Sequence, residues 1–160
     1  MTFRTLSLPD ALMVVTSMRD QDRVCFRAVM GDIGDELIAV NRWQTDGPAW
    51  TLLQDGVPAA ICGVSFANSW LAALWLVGTP GLTGQSWRKL IRHARTVLRN
   101  LSDPRHPEYR HRIESHVLST WPQASRLVEV LGFRLESTRI AAGRGGEDLQ
   151  TWAMTGPARS

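Results

Sequence analysis

Hydrophobic and polar positions alternate most legibly between Leu71 and Leu118. Leu71–Val77 is a continuous apolar run with no polar face, which predicts a strand in the middle of a sheet. After a Gly-rich turn, Trp87, Leu90, Ile91, Ala94, Leu98 and Leu101 fall on one face at helical spacing, with Arg88, Arg92, Arg95 and Arg99 on others. That pattern predicts a long amphipathic helix over Gly84–Leu101, terminated by Asp103-Pro104. Arg112–Leu118 is apolar on alternate residues and reads as a strand. Strand, crossover helix and strand form a βαβ unit, so the two strands should lie parallel.

The flanks read in the same way. Leu8–Met18 is a short apolar helix with Ser7 as its cap and Pro9 in the permitted first turn. A second helix starts at Ser17 or Asp20 and stops at Gly31; a third covers Asp35–Arg42. Trp50–Leu53 and Val57–Phe66 are β runs joined by Gln54-Asp55-Gly56, a hairpin signal because Gly accepts the positive φ of a type I′ turn. Thr120 reads as the cap of a helix with Pro122 in its first turn, which Gly132 ends. Phe133–Ile140 and Leu149–Met154 close the chain as strands around a flexible Gly143–Gly146 loop. The expectation is one α/β (α+β) domain over 1–155 and a loose tail over 156–160.

Composition narrows the classes. With 160 residues, 44% hydrophobic and 21% charged, the chain is globular and neither disordered nor fibrous. Met1–Asp10 has no signal-sequence pattern, and Leu71–Val77 is too short to cross a bilayer, which points to a cytoplasmic protein. Cys25 and Cys62 lie far apart in apolar surroundings and read as buried thiols, with no disulfide or metal framework. The net charge is +3, and Lys89 is the single lysine among 18 basic residues. The arginines are spread along the chain, so the bias reads as GC-rich coding and does not favour nucleic acid.

A Gly-rich loop that opens a helix after a buried strand is a common way to hold a diphosphate on free N–H groups and the positive helix end. Gly84, Gln85 and Ser86 are the candidates, with Val77 and Gly78 on the strand before them. A plain connection into a packed helix is the alternative reading of the same residues. The element order, together with Ala124–Phe133 ending in Leu131-Gly132-Phe133, resembles the GNAT (Gcn5-related N-acetyltransferase) family over roughly Phe3 to Met154. More narrowly, Met18-Arg19 with Asp22-Arg23, the Asp55–Pro58 hairpin and Trp75–Thr79 are similar to small GNAT-like proteins of bacteriophages and prophages. Some of those are acetyltransferases and others are internal virion or head-associated proteins.

The resemblance implies a mixed central sheet with antiparallel N-terminal strands, a central parallel pair and flanking helices. It also implies acetyl-CoA in a V-shaped opening between Leu71–Val77 and Arg112–Leu118. Of the family's phosphate-loop pattern, Gly84 fits, Ser86 is a tolerable small residue, and the opening Gln or Arg is absent. Where many members place a Tyr to protonate the departing thiolate, this chain has Val128; no Glu stands on Leu71–Val77, where a base is often found. The remaining candidates are Glu114 and His116, which share a strand face with Arg112: His116 as base, Glu114 orienting it. An ordinary strand face with a salt bridge is the alternative there. Trp121 stands at the mouth of the expected opening, and His93 reads as solvated among the arginines.

Two functions follow from the resemblance. One is a phage-associated N-acyltransferase using acetyl-CoA on an amine. The other is a catalytically silent GNAT-like structural protein of a phage particle, acting through protein partners or self-association.

Overall fold

Ser7 starts the first helix: its hydroxyl accepts the Asp10 N–H at 3.4 Å, and Pro9 needs no N–H partner in that turn. In the computed structural model, which describes residues 1–157, the elements run β1 (Thr2–Thr5), α1 (Leu8–Thr16), α2 (Asp20–Met30), α3 (Asp35–Trp43), β2 (Ala49–Gln54), β3 (Val57–Phe66) and β4 (Leu71–Gly78). They continue with α4 (Gly84–Leu101), β5 (Arg112–Leu118), α5 (Pro122–Val130), β6 (Arg134–Arg139) and β7 (Leu149–Thr155). Asp55 and Gly56 both have positive φ, 53° and 80°, as the two-residue hairpin demands. Gly132, at φ 101°, lets the Gly132 and Phe133 N–H groups turn back onto the Glu129 and Val128 carbonyls and close α5.

The strands form one seven-stranded sheet in the order β1-β2-β3-β4-β5-β7-β6. All neighbours are antiparallel except β4 and β5, the parallel pair the βαβ pattern requires. β4 lies at the centre, in keeping with its lack of a polar face. On one side of the sheet Ala72, Ile113 and Val117 pack under Leu98 and Leu101 of α4 and Val128 of α5. On the other, Ile61 and Val77 pack under α1 and α3. Among the described residues no helix is long and apolar enough to cross a membrane.

Several expectations need correction. β1 was not anticipated: four residues with two Thr and one Arg carry too little alternation, and only pairing with β2 makes them a strand. Thr120 does not cap α5. The N-cap is Trp121, at φ −115° and ψ 77°, outside the helical region that Pro122 disfavours for its predecessor. The Gly143–Gly146 loop is tied to α2, with the Arg144 N–H on the Ala28 carbonyl at 2.8 Å. The start of the expected loose tail is anchored as well: Gly156 donates to the His111 carbonyl at 2.7 Å, and Pro157 accepts the Tyr109 hydroxyl. Residues 158–160 lie outside the described residues. Both cysteines are free and partly buried, and burial pushes the thiols up to about 11 for Cys25 and about 12 for Cys62.

One buried carboxylate joins three elements. Asp10 of α1 is 3% exposed and accepts from Arg4 of β1 at 2.6 and 2.9 Å and from the Thr51 hydroxyl of β2 at 2.9 Å. Burial raises its pKa, but the Arg4, Thr51 and Ser7 hydrogen bonds together outweigh that and hold it below the ordinary carboxylate value. Asp10→Ala should cost about 2–3 kcal/mol of unfolding free energy in urea at pH 7, because it orphans the buried Thr51 hydroxyl. A depressed folded pKa adds stability that is present above the unfolded pKa and lost as pH falls through the folded one. The difference between wild type and variant should therefore shrink in acid.

Candidate functional site

β4 and β5 pair for three rungs only: Leu71↔Arg112, Ala72↔Ile113 and Ala73↔Glu114. Beyond Ala73, β4 continues against β3 alone; beyond Glu114, β5 continues against β7 alone. The two facing edges therefore open into a V. Backbone groups alternate direction along a strand. The Thr79 N–H points to β3, bonding the Ala59 carbonyl at 2.9 Å, so Leu74, Leu76 and Gly78 turn their peptide groups toward the gap.

The wide end of the V is closed by α2 and the residue before it. The Gly78 carbonyl accepts the Arg19 N–H at 3.0 Å, and the Gly78 N–H donates to Asp22 at 3.3 Å. On the other strand, the Leu118 amide is directed at the Cys25 sulfur. The Arg19 guanidinium holds Asp22 through two hydrogen bonds, 2.7 and 3.1 Å, and lies between the indoles of Trp87 (5.0 Å) and Trp121 (5.4 Å). Burial of Asp22 raises its pKa despite Arg19 and the Gly78 amide. Between the three-rung end and this closure, Leu74 and Leu76 have no strand on their β5 side.

A cavity of about 910 Å³ runs through this gap, from α4 and α5 on one face to α2 and α3 on the other. His116, Ser115, Trp121, Trp87, Val128 and Arg42 are among its lining residues. His116 sits on the α2 side of the sheet, as the period of two requires. Its Nε2 is 3.4 Å from Glu114, and its Nδ1 is 3.5 Å from the Thr151 hydroxyl. Burial lowers its pKa below the ordinary 6.5; Glu114 opposes the shift, and Arg139 and Arg112 add to it. A neutral imidazole at pH 7 is the protonation state a base needs. Glu114 is held more closely by Arg112, at 2.6 Å, and Arg112 also binds Glu136. The strand-face salt bridge and a cavity-facing histidine are thus both present.

The expected cofactor residues are placed unevenly. Trp121 lines the cavity, while Val77, Gly78, Gly84, Gln85 and Ser86 do not. Val77 is fully buried on the α1 side, and Gly78 is occupied by α2. Ser86 is removed from any anion cradle: its N–H donates to the Thr83 cap at 3.2 Å, and its buried hydroxyl donates to Gln54. Gln54 also binds the Gly81 carbonyl at 3.0 Å, so the hairpin secures the loop. Gly84 and Gln85 are exposed in the first turn of α4, where N–H groups lack intrahelical partners. What remains open to a ligand is the unpaired Leu74 and Leu76 edge of β4 and the exposed first turn of α4 at Gly84 and Gln85. His93 is not solvated; it stacks on Phe3 at 4.1 Å and meets Trp50 edge-on at 4.6 Å.

Arg19, Asp22 and Arg42 were missed as site residues. Arg19 and Asp22 lay within the phage-like motif, but their meeting with Gly78 depends on a contact 56 residues apart in sequence. Arg42 carries no motif at all.

No protein-family model and no curated protein matches this sequence. Solved structures do. The ribosomal-protein-S18-alanine N-acetyltransferase from Escherichia coli is 19% identical with a TM-score of 0.70, covering 99% of this chain and 96% of its own. A Salmonella typhimurium protein, assigned as an acetyltransferase and holding its cofactor acetyl-CoA, is 16% identical with a TM-score of 0.72 over 99% and 95%. A GNAT-family acetyltransferase from Bacillus anthracis is 16% identical with a TM-score of 0.67 over 96% and 93%. What these share with this chain is the fold: the mixed sheet with its flanking helices is the GNAT fold.

Nuclear magnetic resonance titration of the imidazoles should show His116 with a midpoint below 6.5, moving up when Arg139 is replaced by Gln. A midpoint well above 7 would leave it protonated at neutral pH and remove it as a base there.

Proposed function

We propose that the chain is an N-acyltransferase that uses acetyl-CoA on an amine. The observation that carries this reading is the V between β4 and β5, open beyond Ala73 and Glu114 and continuous with a cavity that reaches both faces of the sheet. A donor and an acceptor can then approach from opposite sides. The Leu74 and Leu76 peptide groups, the Gly84 and Gln85 amides and the Trp121 ring would hold the cofactor, which supplies an activated acyl thioester. Support also comes from the solved neighbours, one of which holds acetyl-CoA.

His116 takes the proton that the amine must lose, from the face where α2 and α3 bound the cavity. Val128 moves no proton. A thiol's ordinary pKa of about 8.5 makes thiolate a tolerable leaving group, so a missing acid slows this chemistry without forbidding it. The likeness of the Met18–Arg23 segment to phage proteins extends the proposal to a phage-associated role.

One observation favours the second reading, a silent scaffold that works through partners. β6 lies at the sheet edge with all six residues exposed, and Leu135 and Ile140 stand 48% and 74% exposed.

Isothermal titration should show saturable binding of one acetyl-CoA per chain. No heat at millimolar cofactor, together with a stable oligomer by light scattering, would favour the scaffold. Val128→Tyr, which puts a phenol on the cavity wall, should raise turnover at least about tenfold, since a positioned acid contributes about 10²–10⁴. His116→Ala should lower kcat/KM by about 10² or more at pH 7. Wild-type kcat/KM should fall on the acid side as the neutral imidazole is lost, with its midpoint below 6.5.

A further inference from the structure

Arg42 stands in the last turn of α3 and lines the cavity at the end away from α4. Its guanidinium lies over the rings of Trp75, at 5.1 Å, and Phe26, at 5.8 Å. Among the described residues it has no carboxylate partner: its one side-chain hydrogen bond runs to the Asn41 amide oxygen at 2.6 Å. Its Nε is buried without an acceptor. Burial alone depresses its pKa, with no neighbouring charge contributing. A lysine in such a place could shed its proton, but arginine cannot, so the charge persists.

A half-buried cation with its Nε sealed off and unbonded, held otherwise by ring faces and one neutral oxygen, is costly to keep. The other inward arginine, Arg19, has Asp22. Arg42 has no such partner, and the neighbouring Trp75 Nε1 is a second buried donor with no acceptor. Trp75 is fixed there by close packing: a Cβ on Gly63 would stand 2.5 Å from its ring, so only glycine admits the indole. Arg42 and Trp75 thus each keep one unmet donor, sealed from solvent, just behind one wall of the cavity, amid the apolar side chains of Phe26, Val29 and Met30. His116 lines the same cavity.

We infer that the α3 end of the cavity is a carboxylate pocket, and that the acceptor is an amine with an apolar or aromatic body and a carboxylate that pairs with Arg42. A planar guanidinium fork matches a carboxylate, and an anion entering the cavity would neutralise the stranded charge. The amine part of this inference rests on the acyltransferase reading; the carboxylate part does not.

The test separates the two. The full chain, without acetyl-CoA, is titrated with 3-phenylpropionate and with 3-phenylpropan-1-ol, which keeps the shape and drops the charge. The acid should bind at least about tenfold more tightly than the alcohol, the discrimination expected of a charged hydrogen-bonded pair. Arg42→Gln should abolish the difference. Arg42→Lys should retain part of it, because it keeps the charge and loses the fork. Equal binding of acid and alcohol by the wild type, no binding of either at 10 mM (about the limit of a useful pocket), or an unchanged preference in a folded Arg42→Gln protein overturns the inference. Preference for the acid without any acetyl transfer overturns only the enzymatic reading. Transfer with no acid preference overturns only the pocket.

Discussion

The parallel pairing of β4 and β5 stops after three rungs, and the architecture around it follows from what must then be done with unpaired peptide groups. A buried N–H or C=O without a partner costs free energy comparable to a lost hydrogen bond. At the wide end of the V the chain meets that demand itself, through the Arg19 amide, the Asp22 carboxylate and the Cys25 sulfur. In the middle it does not, and the cavity lies there. α2 thus bridges the two strands at their diverging ends, while α4 and α5 roof one side and α1 and α3 the other.

Much of this architecture is legible in the sequence. β4 had no polar face, α4 had six apolar residues at helical spacing, and Asp55-Gly56 and Gly132 had the conformational freedom their turns use. These are local signals, and local signals set boundaries. β1 and the order of the last strands were not legible, because each depends on a neighbour supplied from far along the chain. Phe133–Ile140 and Leu149–Met154 read as two closing strands, with nothing in either to say that the later one would pass inside the earlier.

The site was less legible than the fold for the same reason. The period of two put Glu114 and His116 on one face, and the structure adds that His116 borders the cavity. The Gly-rich loop, by contrast, looked free in sequence and is held by Gln54 from the hairpin and capped by Thr83. The charged groups that matter most inside the V, Arg19, Asp22 and Arg42, look in sequence like ordinary residues near helix ends. What sets them apart is tertiary: Arg19 and Arg42 lie against tryptophans, and Asp22 is buried beneath Gly78.

The position of β7 has a consequence for how the molecule is made. Leu149–Thr155 follows every other strand in synthesis, yet it lies between β5 and β6 and brings Trp152 into the main core. While the ribosome still holds that segment, β5 has an open edge and β6 has nowhere to dock. Completion of this sheet is therefore a late, all-at-once event, and a nascent chain exposes a bare β5 edge to strangers until the final strand arrives.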